Sequence, residues 1–147
     1  MYNNDQSMDI VKSEIYPKEL SLTSDEAVLQ THYLDLDLEI RDNKIHSKLF
    51  DKRDAFGFTI VNFPDLSGKI PTKQSYGVFV SQLIRYTRCC MSFEDFVFRT
   101  RKLVTRLTNQ NFKLEKLKQV FQKFAESKYE LLFKYNHSIN NICDSCY

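Results

Sequence analysis

The stretch YLDLDLEIRDNKIHSKLF, running from Tyr33 to Phe50, decides the fold class. Leu34, Leu36, Leu38 and Ile40 alternate with Asp35, Asp37, Glu39 and Arg41, and a period of two is the signature of a strand with one buried face and one wet face. Asp42 and Asn43 tolerate the positive φ of a tight turn. A second alternating run follows, with Ile45 and Leu49 apolar and Lys44, His46 and Lys48 polar. The stretch therefore reads as a β-hairpin. With Asp42 and Asn43 as the loop, Ile40 faces Ile45 and Leu36 faces Leu49 on the buried side, while Glu39 faces His46 and Asp37 faces Lys48 on the wet side. A slip of one residue would expose every Leu. Burial at ~1.5 kcal/mol or more per apolar side chain outweighs the few tenths from each exposed charge pair, so apolar burial sets the register.

Working outward, Met8, Val11 and Ile15 recur at helical intervals between Gln6 and Tyr16, and Pro17 stops the pattern, which predicts a short N-terminal helix. Leu20 and Leu22 form a brief alternating run, and Thr23 to Thr31 is a polar connection. Downstream, Asp51 to Thr72 lacks periodicity and carries Gly57, Pro64 and Gly68, yet it also holds Phe56, Phe58, Ile60, Val61 and Phe63. These aromatics are expected to pack down and cap the core.

Three helices are predicted beyond it. The first runs from about Gln74 to Cys90, with Tyr76, Phe79, Leu83, Ile84 and Tyr86 apolar. Ser92 caps the second, with Asp95 at the capping-box position and Phe93, Phe96, Val97, Val104 and Leu107 on its inner side. Asn109, Gln110 and Asn111 break the pattern. The third carries Leu114, Leu117, Phe121, Phe124, Leu131 and Tyr135, and the remainder is a short polar tail. The whole is an α+β chain: a short N-terminal helix and a small antiparallel hairpin sheet, then a three-helix bundle.

Composition agrees with this reading. Of 147 residues, 42% are hydrophobic and 14% aromatic, and there are only three Gly and three Pro, too few for the frequent turns of an all-β sandwich. The net charge of +2 hides a division. Residues 1–65 carry 7 Lys+Arg against 13 Asp+Glu, net −6; residues 66–147 carry 14 against 6, net +8. Such asymmetry points to nucleic acid or a membrane surface meeting the basic half, though solvated helix faces produce it too. No apolar run reaches the ~18 residues of a membrane span, and no signal-peptide core follows Met1. The chain is therefore expected inside the cell, in nucleus or cytoplasm, with no membrane partner and its four Cys reduced.

Several constellations could carry chemistry. Asp35, Asp37 and Glu39 on one strand face could hold Mg²⁺, but the register gives two of them basic partners, which favours an ordinary paired face. Cys143 and Cys146 form CxxC near His137. A structural zinc site needs four well-spaced ligands and a redox pair needs a βαβ context, so no metal site is expected. Arg99, Lys102 and Arg106 share one helical face, and Arg85 and Arg88 extend the basic surface. Packed basic helices of this kind could track a phosphate backbone without sequence readout, or could be solvated faces.

The run IYPKELSL (15–22), YLDLDLEIRDNKIHSKLFDKRDAFGFTIVNFPDLSGKIP (33–71), YGVFVSQLIRYTRCC (76–90) and SFEDFVFRTRKLVTRLTNQNF (92–112) resembles the segment after the catalytic motif in reverse transcriptases of Penelope-like retroelements. In that family an FLD strand and a Y-x-K strand follow the YxDD hairpin of the palm and lead into a helical thumb. Tyr33, Leu34 and Asp35 match the first element; Leu49 to Arg53 match the second. The resemblance spans about Ile10 to Tyr135.

What the resemblance implies is a palm-end, primer-grip-like segment over 1–65 and a thumb-like segment over 66–147. Tyr33, Leu34 and Asp35 would be grip, and Lys52, Arg53, Arg85, Arg88, Arg99, Lys102 and Arg106 would meet the backbone of an RNA or DNA template-primer weakly and without sequence preference. The chain has no YxDD and no upstream palm. It is thus expected to be a truncated fragment of an RNA-directed DNA polymerase that does not polymerise by itself. It would hold no cofactor of its own, the Mg²⁺ of the intact parent enzyme being held by the missing palm. Two other classes stay open: a small α+β interaction module whose basic helices dock an acidic protein, and a metal-dependent nuclease using Asp35 and Asp37. An isolated hairpin without its palm sheet would also leave Leu22 or Leu34 at an open edge.

Overall fold

The computed structural model describes residues 29–58, 60 and 63–147. The predicted helix at Gln6–Tyr16 and the short run at Leu20 and Leu22 lie outside the described residues. Three antiparallel strands, β1 (Gln30–Tyr33), β2 (Leu36–Arg41) and β3 (Lys44–Leu49), form one sheet in the order β1-β2-β3. Helices α1 (Thr72–Cys89), α2 (Phe93–Thr108) and α3 (Leu114–Ser127) follow, then the short α4 (Tyr129–Leu132) and α5 (Ile139–Ser145). The chain is α+β.

The β2–β3 hairpin has the register read from its alternation: Ile40 pairs with Ile45, Leu36 with Leu49, Glu39 with His46 and Asp37 with Lys48. Asp42 and Asn43 both adopt left-handed φ, as a two-residue turn between twisted strands requires. The alternating run is nevertheless not one strand. Leu34 turns at φ 53° and, with Asp35, joins β1 to β2, so that Tyr33 pairs with Leu36. Part of the polar connection before Tyr33 is therefore a third strand.

The expectation of a uniformly buried apolar face is corrected. Leu49 is 2% exposed, but Ile45 on the same face is 63% exposed. The helices cover only the end of the sheet nearest the chain's exit into them. That end is fixed to the α1–α2 connection: Met91 N–H donates to the Ser47 carbonyl (3.0 Å), and Ser47 Oγ donates to the Cys89 carbonyl (3.1 Å). These bonds engage the outer edge of β3 at Ser47. Conversely, Asp37 on the polar face is only 8% exposed, enclosed by the side chains of neighbouring strands.

In the helical part, Tyr76, Phe79, Leu83 and Tyr86 of α1 form the predicted stripe against Phe96, Leu103 and Leu107 of α2 and Leu117, Phe121 and Phe124 of α3. Leu49 and Phe63 belong to this same core. Ser92 caps α2 as expected, its Oγ accepting from Asp95 N–H (3.1 Å) and donating to the Asp95 carboxylate (2.9 Å). The Tyr76 hydroxyl accepts from Lys113 N–H (3.1 Å) at the start of α3, which has no side-chain cap of its own.

Three details depart from the sequence reading. α3 stops at Ser127 because Lys128 leaves helical geometry, so Leu132 rather than Leu131 fills the core. The segment beyond Asn136 is not merely a polar tail. It forms α5, which buries Ile142 and carries Cys146 inward just past its end, while the Tyr147 hydroxyl donates to the Leu117 carbonyl (3.0 Å). Phe63 caps the core, but Phe56 and Phe58 remain exposed.

None of the described helices is long and apolar enough to cross a membrane.

Candidate nucleic-acid interface

Asp51 and Asp54 organise the basic residues of α2. Asp51 caps a 3-10 turn, Lys52–Ala55, by accepting from Arg53 N–H (3.1 Å). Its two oxygens also take the Arg53 guanidinium in a bidentate pair (2.7 and 2.8 Å). Asp54, one turn on, receives Arg99, Lys102 and, at 3.4 Å, Arg106. Arg106 reaches Asp51 as well (3.6 Å). Arg99 is further fixed by donating to the Leu49 carbonyl (2.8 Å), which ties the cluster to the buried end of β3.

Four cations thus surround two carboxylates, an excess of two positive charges at one place on the surface. Burial alone would raise the Asp51 pKa. The Arg53 hydrogen bonds and charge, with Arg106 behind them, outweigh it and hold the carboxyl at about 2. Asp54 is likewise lowered: burial opposes the shift, and Lys102 and Arg99 override it. Both carboxylates are therefore ionised at neutral pH, and the cations are ordered rather than trailing in solvent.

An open depression of about 580 Å³ lies beside the cluster, lined by Arg53, Asp54, Phe56, Phe58, Lys102 and Arg106 among others. Phe56 and Phe58 sit with ring centroids 5.3 Å apart, 45% and 67% exposed. The exposed ring of Phe98 also lies beside the basic row, 5.7 Å from the Arg99 guanidinium and 6.0 Å from Lys102 Nζ.

Of the residues singled out from the sequence, Arg53, Arg99, Lys102 and Arg106 are brought together. Arg85 is elsewhere, paired with Asp35 at 2.8 Å, while Arg88 and Lys52 are exposed outside the cluster. Tyr33 is the last residue of β1, Leu34 and Asp35 form the tight turn into β2, and all three are exposed. Sequence reading missed Asp51 and Asp54 as the hub, because their ion pairs with α2 span 45 to 55 residues and leave no local periodicity. The i, i+3, i+7 spacing of Arg99, Lys102 and Arg106 did predict a shared face.

The acidic strand face separates in the same way. Asp35 is in the turn, leaving Asp37 and Glu39 on β2. Asp37 is occupied by Gln30 (3.1 Å), His32 (3.2 Å) and Lys48 (3.2 Å), and Glu39 by Arg41 (3.0 Å). Cys143 and Cys146 carry free thiols, and burial pushes Cys146 up to about 12. The His137 ring lies against Phe93, centroids 4.1 Å apart and tilted by 36°. Among the described residues, no group of three or more His, Cys, Asp or Glu side chains is placed to hold a metal ion.

No family model, no curated protein and no solved structure matches this chain.

Proposed function

We propose that this chain binds nucleic-acid backbone, akin to the grip and thumb of a reverse transcriptase, and holds RNA or DNA weakly and without sequence preference. The observation that carries the reading is the convergence of Arg53, Arg99, Lys102 and Arg106 on one ordered surface with excess positive charge. Guanidinium groups already oriented by carboxylates lose little rotamer freedom on meeting phosphate, and planar forks suit its oxygens. Asp54 is the internal competitor: phosphate must share its cations.

The test is fluorescence anisotropy with a labelled oligonucleotide across a salt series starting near 50 mM. Log affinity should fall linearly with log salt, at roughly 0.7 to 0.9 per phosphate neutralised, with two to four phosphates engaged. Asp54→Asn, which removes the competing charge, should tighten binding and steepen the slope, whereas Lys102→Ala should weaken binding and flatten it. No affinity at the lowest salt would refute the reading.

The competing reading is a module that docks an acidic protein. One observation favours it: the basic face of α2 already binds carboxylates, those of Asp51 and Asp54 in its own chain. Under that reading Asp54→Asn would raise affinity for polyglutamate as much as for an oligonucleotide of equal length.

A further inference from the structure

We infer that the surface around Phe56 and Phe58 takes single-stranded nucleic acid in preference to duplex, by stacking unpaired bases on these rings while the adjoining cations hold the backbone. This rests on the backbone-binding reading above and adds the state of the strand.

Phe63, from the same loop, is buried in the core, so the fold has room for aromatic packing from this segment; Phe56 and Phe58 stay outside. Their rings are 5.3 Å apart and tilted by 40°, an open pair rather than a closed stack. They line the same depression as Arg53, Lys102 and Arg106. An apolar partner would bury these rings at the cost of desolvating ordered cations. A duplex would satisfy the cations and leave the rings in water, because its bases are stacked inside. A single strand satisfies both: phosphates meet the guanidinium and ammonium groups while π-faces cover the phenyl rings. Phe98 is a further exposed ring beside two of the same cations, Arg99 and Lys102.

The experiment compares a fluorescein-labelled oligothymidylate with a hairpin duplex of equal length, using the full chain and the Phe58→Ala and Phe58→Tyr variants at low salt. Phe58 is two-thirds exposed, so neither substitution disturbs the core. The wild-type chain should bind the single strand at least tenfold tighter. Phe58→Ala should cost the single strand about tenfold and leave the duplex unchanged, and Phe58→Tyr should retain the wild-type affinity. Equal affinity for both probes, unaffected by Phe58→Ala, overturns this inference while leaving backbone binding intact. Binding to neither overturns both. Polyglutamate displacing the oligonucleotide at equal charge concentration overturns it in favour of an acidic protein partner.

Discussion

Replacing Leu49 with Ala separates the anchored end of the sheet from its free end. Leu49 is 2% exposed and belongs to the helical core, and its carbonyl receives Arg99. Truncation removes three carbons at about 0.8 kcal/mol each, or about 2.4 kcal/mol of transfer free energy. A cavity walled by rigid helices adds to this, giving roughly 3–4 kcal/mol in total. Ile45 lies on the same sheet face four residues away along β3, and it is 63% exposed. Ile45→Thr keeps the β-branch and loses only about a third of the burial of two carbons, or about 0.5 kcal/mol. Urea unfolding followed by far-ultraviolet circular dichroism measures both, and thermal unfolding should show Leu49→Ala lowered by roughly 10 °C. Equal losses for the two variants would refute the view that the helices cover only one end of the sheet. A loss below about 1 kcal/mol for Leu49→Ala would refute its role as anchor.

Three further outcomes are expected. Asp51 has a folded pKa near 2 against 3.8 for a free carboxyl. Its contribution is therefore present above about pH 4 and lost as pH falls toward 2; it amounts to roughly 2 kcal/mol, less where water screens the partly exposed cations. Urea midpoints should fall across that window, and Asp51→Asn should lower the midpoint at neutral pH while flattening the fall; an acid-insensitive wild-type midpoint would contradict the network. Ser92→Ala removes the α2 cap and should cost about 1 kcal/mol by the same assay, with an unchanged midpoint counting against the cap. Ile142→Ala should cost about 2–4 kcal/mol, since this side chain of α5 is fully buried in the core; a negligible effect would return the C-terminal segment to the status of a tail.

Much of this molecule was legible in short-range pattern. The period-two run between Tyr33 and Phe50, with the turn residues Asp42 and Asn43, specified a hairpin register in which both faces agree. The spacing of Phe79, Leu83 and Tyr86, and of Phe96, Leu103 and Leu107, specified which helix faces pack. Ser92 and Asp95 marked where α2 begins. Each of these signals acts within one element or one tight turn, where sequence distance and spatial distance coincide.

The tertiary structure alone decided what required distant segments to meet. Whether an apolar strand face is covered depends on where the helices land, which is why Leu49 is buried and Ile45 is not. Leu34 turns the chain because β1 must fold back onto β2. Above all, the basic row of α2 could be recognised from spacing, but its partners could not. Asp51 and Asp54 reach Arg99, Lys102 and Arg106 only because packing of β3 against the helices carries the 3-10 turn onto α2. Electrostatic pairing follows position in space, and over separations of some fifty residues only the fold supplies that position.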